Sequence, residues 1–199
     1  MNVLLTGKRQ VGKTTVCGRA AELARGLGYD PAGVLAPALI GKDGLPVAYH
    51  ALMVADGEQR LLAWANGDLG KGNPKPETRN SKLSTGGPRT RRYRFDADAF
   101  AWVVERLRRA ISQGCDLLIV DEIGPLELEQ GRGSAPLLSD LSAESPPALL
   151  LVVRPELIGQ LQERLPDISF RIFTVTQENR QALPQAIAKE LFADHDPSR

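Results

Sequence analysis

The chain has 199 residues, of which 42% are hydrophobic and 25% are charged, and its formal net charge is +1. This length favours one domain over two, and the composition excludes collagen-like, fibrous and generally disordered proteins. The near-neutral charge gives no argument for nucleic acid or an anionic membrane as a partner. Apolar runs are too short for a signal sequence or a membrane span, so we expect one cytoplasmic domain, residues 1–199, and favour a monomer.

The first 28 residues predict a strand, a turn and a helix. NVLLT is the strand, GKRQVG is the turn, and small or apolar residues from Val16 to Leu27 recur with helical spacing up to Gly28. GKRQVGKTT matches the phosphate-binding pattern G-x-x-x-x-G-K-[ST] in the strand-to-helix context that this pattern requires. Cys17 lies on this helix, and because neither it nor Cys115 has metal-ligand spacing, we expect two buried free thiols.

Each residue of this P-loop has an expected role. Lys13 would bridge the β- and γ-phosphates, Thr14 would bind Mg²⁺, and Thr15 would reach the α-phosphate of a nucleoside triphosphate. Glycines let the turn wrap around the phosphates, and the helix N-terminus adds partial positive charge. The other expected phosphate-binding residues are those of the turn itself, Gly7, Lys8, Arg9, Gln10, Val11 and Gly12.

Three apolar runs follow, at residues 32–40, 45–55 and 59–65. Their connections are too short for helices, so we expect an antiparallel hairpin added to the main sheet. Residues 66–94 are rich in Gly, Pro, Asn, Ser and Thr and carry eight basic residues against two acidic ones, which predicts a basic, flexible loop. Three roles for this loop stay open: a lid over phosphates, a simple solvated loop, or a nucleic-acid contact through Tyr93. The nucleic-acid contact is the least favoured.

The second half of the chain alternates helical and strand patterns. Asp96 predicts the N-cap of a helix that Gly114 ends. This alternation is typical of an α/β protein whose parallel sheet is covered on both faces. The further predicted strands are the apolar run that starts at 117 and the segments 148–154 and 169–175, and the further predicted helices are at 135–143, 156–165 and 179–193.

The segment LLIVDEIGPLEL puts two adjacent carboxylates at the end of an apolar strand. We expect Asp121 to hold the metal opposite the P-loop rather than to cap a turn. Glu122 would position the water that attacks the γ-phosphate, with general-base character. The alternative is the D-x-x-G motif of GTPases, in which Gly124 would contact the γ-phosphate. That alternative needs an N-K-x-D motif, and TVTQENRQAL lacks one.

Four segments, GKRQVGKTT, RRYRFDADAF, LLIVDEIGPLEL and TVTQENRQAL, resemble the cancer-related nucleoside-triphosphatase family of small P-loop proteins, and DEIGPLEL is the most specific of them. The resemblance implies a three-layer, RecA-like sandwich, Mg²⁺, and slow hydrolysis of ATP, GTP and other triphosphates with little base selectivity. It also implies that Asn179 and Arg180 lie near the nucleobase. Glu127 stands at a second acidic position of the family, and we expect it to be a solvated carboxylate at a helix end.

An arginine is expected to stabilise charge that develops between the β- and γ-phosphates. Arg154 is favoured because strand carboxyl ends face the ligand crevice in parallel sheets. The alternative, which we weigh equally, is that Arg154 is simply an exposed residue at a helix start, before Pro155. The other candidates are Arg9, Arg132 and the group from Arg89 to Arg94.

Three functions are consistent with these motifs. The leading one is Mg²⁺-dependent hydrolysis of the γ-phosphate, in which Lys13, Glu122 and Arg154 are catalytic. A kinase that passes the γ-phosphate to a small acceptor is the second, because Glu122 serves an acceptor hydroxyl as readily as water. A nucleotide-dependent binding module or switch is the third.

Overall fold

The computed structural model describes residues 1–66, 87–141 and 147–193. The strands are β1 (Asn2–Gly7), β2 (Pro31–Leu35), β3 (Ala38–Ile40), β4 (Pro46–Met53), β5 (Gln59–Ala65), β6 (Tyr93–Phe95), β7 (Leu117–Ile123), β8 (Ala148–Val153) and β9 (Phe170–Val175). The helices are α1 (Lys13–Gly26), α2 (Ala97–Ser112), α3 (Pro125–Leu128), α4 (Ala135–Leu141), α5 (Ile158–Arg164) and α6 (Leu183–Leu191), and a 3₁₀ turn spans Pro155–Leu157.

One mixed sheet contains all of these strands. Its parallel part has the order β2, β7, β8, β1, β9. Beyond β2 the sheet continues antiparallel through β4, β5 and β6, and β3 also pairs with β4. The predicted antiparallel addition is therefore confirmed, although the run at 32–40 divides into two strands. Pro37 lies at the break, where its missing N–H interrupts the strand ladder.

Two hydrophobic cores lie on opposite faces of the sheet. Successive strand residues alternate between them: Leu118 and Leu149 face α2, α4 and α5, whereas Leu117 and Leu150 face α1 and α6. This arrangement of helices, sheet and helices is the three-layer α/β sandwich that was predicted. Within the described ranges, no helix has the length and apolarity needed to cross a membrane.

The predicted cap of α2 and the predicted buried thiols agree with the structure, whereas the end of α1 differs. Asp96 caps α2 by accepting the amide hydrogen of Ala99, and both cysteines are buried and unpaired. Leu27 was expected on the buried face of α1, but it follows the helix end and is 51% exposed.

The prediction of a flexible loop at 66–94 is wrong for the carboxyl end of that segment. Tyr93 and Arg94 belong to β6, which pairs with β5, and Arg89 forms a bridge with Arg94. The Tyr93 hydroxyl donates to the carbonyl of Pro46 at 3.1 Å. This segment is ordered because β5 offers it an open strand edge, which its polar composition does not reveal. Residues 67–86 of the predicted loop lie outside the described part of the chain.

Candidate active site

The P-loop joins β1 to α1 in a conformation that requires its glycines. Gly7 has φ 140°, and a Cβ there would lie 2.7 Å from the carbonyl oxygen of Val175 at the end of β9. Gly12 has φ 105° at the start of α1. Gln10 also has a positive φ, 60°, which is uncommon outside glycine. The loop is therefore tightly wound and pressed against β9.

Lys13 extends back over this loop. Its Nζ donates to the carbonyl oxygens of Gly7 at 3.0 Å and Lys8 at 2.8 Å. Burial lowers the pKa of Lys13 from its ordinary value, while the nearby carboxylates of Glu122 and Asp121 raise it. The ammonium group thus stands between the P-loop and the acidic end of β7, where the phosphates of a nucleotide would need it.

Asp121 lies at the carboxyl end of β7 and faces the first turn of α1. Its side chain is buried, accepts the amide hydrogen of Ala36 at 3.1 Å and is hydrogen-bonded by the Thr14 hydroxyl. Burial raises the pKa of Asp121 to about 6, and the hydrogen bonds from Thr14 and Ala36 lower it. Among the described contacts, no cation lies within hydrogen-bond distance of the Asp121 carboxylate to compensate its charge.

These two oxygen donors fit Mg²⁺. The ion prefers hard oxygen ligands and commonly takes one or two protein ligands together with phosphate oxygens and water. In the described ranges, no group of three or more His, Cys, Asp or Glu side chains forms a closed metal cage. Thr14 and Asp121 are accordingly the residues that would hold the ion, and substrate phosphates would complete its coordination.

Glu122 projects out of the sheet because β7 is irregular at this point. The register between β7 and β8 shifts between Val120 and Ile123, and Glu122 has φ 72°. A left-handed conformation at a non-glycine residue stores strain and is frequent at functional sites. Its side chain is 45% exposed and accepts a hydrogen bond from Arg154 at 3.2 Å. The kink turns the Glu122 carboxylate out of the sheet toward Arg154, whereas the Asp121 carboxylate faces Thr14.

Of the candidate arginines, Arg154 and Arg9 line the cleft above the P-loop, and so does Arg92. Arg154 directly follows β8, at the sheet edge where β1 and β7 also end. Arg132 lies instead in a separate cavity beside α2, so the structure does not bring it to the phosphates. The chain after β7 turns away through α3, which carries Arg132 off the site.

Asn179 and Arg180 flank the P-loop on the β9 side. The Asn179 side chain accepts from the amide of Thr176 at 2.8 Å and donates to the carbonyl of Thr174 at 2.9 Å, which fixes the turn after β9. The Cδ of Arg180 would lie 3.5 Å from a Cβ on Gly12. Arg180 therefore adjoins the phosphate-binding turn, whereas the observed partners of Asn179 are those of the turn after β9.

Glu127 contradicts its prediction as a solvated carboxylate, since it is only 5% exposed. Its Oε2 accepts from the amide of Gly124 at 3.0 Å and its Oε1 from the amide of Ser134 at 3.3 Å. Burial raises the pKa of Glu127 to about 7. Glu127 closes a capping interaction at the start of α3, where Pro125 occupies the first turn, and the packing around α3 buries its carboxyl group. The spacing G-P-x-E signals the cap but not the burial.

Two cavities meet at Glu122. The phosphate cleft, about 550 Å³, lies over the P-loop, and a second cavity of about 500 Å³, the side cavity, lies toward β5, β6 and α2. Both are lined by Tyr49, a residue that no sequence pattern singled out. Its ring packs edge-on against Tyr93 at 5.3 Å. Burial, the neighbouring Glu122 and a hydrogen bond to Tyr93 raise the pKa of Tyr49, so its hydroxyl stays protonated.

A family model described as NTPase matches residues 2–188. Nucleoside-triphosphatase THEP1 of Methanopyrus kandleri is 28% identical over 193 residues, covering 96% of this chain and 95% of that protein. Its counterpart from Thermofilum pendens is 28% identical over 192 residues, covering 96% and 94%.

Two solved structures have the same fold. The solution structure of a human cancer-related nucleoside triphosphatase has a TM-score of 0.66 at 22% identity, covering 98% of this chain and 99% of that one. The crystal structure of THEP1 from Aquifex aeolicus has a TM-score of 0.61 at 17% identity, covering 96% and 99%. Since the family model spans nearly the whole chain, from β1 through most of α6, the chain belongs to the NTPase family.

Proposed function

We propose that the protein is a Mg²⁺-dependent nucleoside-triphosphate phosphohydrolase. One observation carries the proposal: Lys13, the Thr14–Asp121 pair and Glu122 line a single cleft at the carboxyl ends of β1 and β7. In parallel α/β sheets this edge is where ligands bind. The glycine-rich turn supplies amide hydrogens and Lys13 supplies a positive charge for the triphosphate. When bound, Mg²⁺ would neutralise charge on the β- and γ-phosphate oxygens.

Glu122 provides the chemistry in this proposal. It accepts a hydrogen bond from the water whose oxygen attacks the γ-phosphorus, while the bond to the β–γ bridging oxygen breaks. The water proton passes to Glu122 or to a phosphate oxygen, and the nucleoside diphosphate leaves. Because Arg154 is hydrogen-bonded to Glu122, it lies close enough to exchange this partner for the γ-phosphate. That exchange costs an ion pair, so we expect turnover to be slow.

The nucleobase lies beside Asn179 and Arg180 in this proposal. The hydrogen bonds of the Asn179 side chain are used by the turn after β9, and stacking against a guanidinium group does not distinguish one base from another. Hydrolysis of ATP, GTP and other nucleoside triphosphates with broad base tolerance is the expected consequence.

The decisive experiment compares phosphate release by wild type, Glu122→Gln and Glu129→Gln. Glutamine keeps the size of Glu122 but removes its basicity, so we expect kcat to fall by roughly 10² or more while KM changes little. Glu129 is an exposed acidic residue that lines neither cavity and serves as the matched control. Equal turnover in all three proteins would refute the role of Glu122.

The same protein preparation also distinguishes a hydrolase from a nucleotide-dependent switch. A switch would capture a partner in a nucleotide-dependent manner with negligible phosphate release, whereas the hydrolase turns over in the absence of any partner.

A further inference from the structure

The side cavity adjoins the point at which the γ-phosphate would be attacked. Asp121, Glu122 and Arg154 line both this cavity and the phosphate cleft. A molecule in the side cavity therefore lies beside Glu122, on the side of β5, β6 and α2. Hydrolysis alone needs room for one water at this position, whereas the side cavity measures about 500 Å³, within the range typical of small-molecule sites.

The deep end of the side cavity is apolar and partly aromatic. Phe95 and Phe100 lie side by side with ring centroids 5.6 Å apart and an interplanar angle of 27°. Val34, Leu62 and Val103 complete this end. Such a surface suits a flat ring system, because aromatic and aliphatic side chains pack against ring faces without needing polar partners. Glu127 also lines the cavity, and its carboxyl oxygens have lone pairs left to accept an N–H from the ring.

The other end of the side cavity is positively charged. Five arginines line the cavity as a whole against three acidic residues. Glu122 pairs with Arg154, and Asp121 belongs to the proposed metal site, so the remaining guanidinium groups exceed the remaining carboxylates. Arg89 and Arg91 line only the side cavity, whereas Arg92 also borders the phosphate cleft. Guanidinium groups bind phosphate through paired hydrogen bonds.

We propose that the side cavity binds a nucleoside monophosphate, and that the enzyme transfers the γ-phosphoryl group to it. The heterocycle occupies the apolar end, its amino or imino N–H faces Glu127, and its phosphate lies among the arginines beside Glu122. An oxygen of the acceptor phosphate forms a bond to the γ-phosphorus as the bond to the β–γ bridging oxygen breaks. Two nucleoside diphosphates result, and any proton on the acceptor phosphate passes to Glu122.

This inference rests on the proposed function, because the donor is the same nucleoside triphosphate in the phosphate cleft. Hydrolysis is then the reaction that occurs when the side cavity holds water. The two ideas fail differently: loss of all γ-phosphate release overturns both, whereas release of free phosphate without transfer overturns only the acceptor site.

Binding is measured first, by calorimetric titration of AMP, GMP, CMP and UMP into protein saturated with Mg²⁺ and a non-hydrolysable ATP analogue. The analogue fills the P-loop, so monophosphate bound there is excluded from the signal. At least one monophosphate should bind, and its unphosphorylated nucleoside should bind at least about tenfold more weakly, since the charge-assisted hydrogen bonds are lost. Equal binding of both would overturn the assignment of the arginine end.

Variants then locate the site. Arg91→Gln removes a cation from the side cavity and Leu62→Phe fills its apolar end, and each should weaken monophosphate binding by about tenfold or more. Arg94→Gln is the matched control, because Arg94 is exposed, lies three residues after Arg91 and lines neither cavity. Equal losses for Arg91→Gln and Arg94→Gln, or no loss for either side-cavity variant, would overturn the location.

Transfer is measured last, with γ-labelled ATP and the monophosphate that binds. Label in the newly formed nucleoside diphosphate, reduced in Arg91→Gln and Leu62→Phe, is the expected result. If all label appears as free phosphate under saturating monophosphate, the acceptor reaction is excluded while the hydrolase remains. If none of the four monophosphates binds, the proposed ligand class is wrong.

Discussion

Burial changes the chemistry of Glu127. Both carboxyl oxygens accept backbone hydrogen bonds, yet desolvation outweighs them and raises the pKa to about 7 from 4.5. Between these values the folded protein binds a proton that the unfolded chain releases. Stability contributed by this residue is therefore greatest at low pH and is lost as pH rises through the folded pKa.

Glu127→Gln should remove this part of the pH dependence. Relative to the variant, wild type should lose up to about 3 kcal/mol of unfolding free energy as pH rises from 4.5 to 7. Urea denaturation at several pH values measures the difference. Glu129→Gln, at an exposed position, should retain the wild-type slope. Parallel curves for wild type and Glu127→Gln would contradict the burial of a titrating carboxyl group.

Substitutions of Arg154 test whether this residue supplies the proposed catalytic cation, and Arg132 is the matched control. Arg154→Ala should lower kcat on the order of 10³-fold, as expected for an arginine that stabilises transferring phosphate, and Arg154→Lys should recover part of the loss. Arg132→Ala should leave kcat unchanged because Arg132 lines a different cavity. Single-turnover phosphate release measures the chemical step. Wild-type kcat in Arg154→Ala would assign the cation to another residue.

At the scale of elements, the pairing of β2 with β7 positions Asp121, a residue of the proposed metal site. Gly33 pairs with Ile119, has φ 142°, and a Cβ on it would lie 2.2 Å from the Ile119 carbonyl oxygen. The same pair of strands brings the Ala36 amide to Asp121. A glycine in the middle of an apolar strand is thus the condition for close approach of these two backbones.

Gly33→Ala should lower the unfolding free energy by at least about 3 kcal/mol, because strain and a backbone clash act together. Gly26→Ala is the control: Gly26 ends α1 with open space around its Cα, and alanine there should stabilise by up to about 1 kcal/mol. Chemical denaturation of the two variants and wild type measures both effects. Equal stability of the two variants would show that β2 and β7 can separate at little cost.

At the scale of the whole molecule, the cleft assembles residues from distant parts of the chain. The P-loop follows β1, Asp121 lies near the carboxyl end of β7 and Arg154 follows β8, and the parallel order brings all three to one sheet edge. Binding of nucleotide and metal across this edge should stabilise the fold as a unit, since any ligand bound only to the folded state shifts the unfolding equilibrium.

A non-hydrolysable triphosphate with Mg²⁺ should raise the unfolding free energy by about 2.7 kcal/mol at a hundredfold excess over Kd. Removing the metal with a chelator should abolish most of this gain, and so should Asp121→Asn. Thermal denaturation with and without nucleotide measures this gain in stability. A full gain in the presence of the chelator would mean that Thr14 and Asp121 do not hold a metal in the complex.

The sequence alone determined the family, the α/β class and the P-loop, as well as the acidic pair at the end of β7. These features rest on local patterns: a glycine-rich turn between a strand and a helix, helical and strand periodicity, and carboxylates after an apolar run. The cap of α2 at Asp96 is equally local. Such patterns can be recognised in the sequence because the residues that satisfy each structural requirement lie within a few positions of one another.

The tertiary structure alone decided which distant side chains meet. The pairing of Tyr93 and Arg94 with β5, the place of Tyr49 beside Glu122, and the side cavity all depend on which strands become neighbours. Burial of Glu127 depends likewise on the packing around α3. Burial and long-range contact are properties of the assembled sheet and its layers, so no short segment carries them.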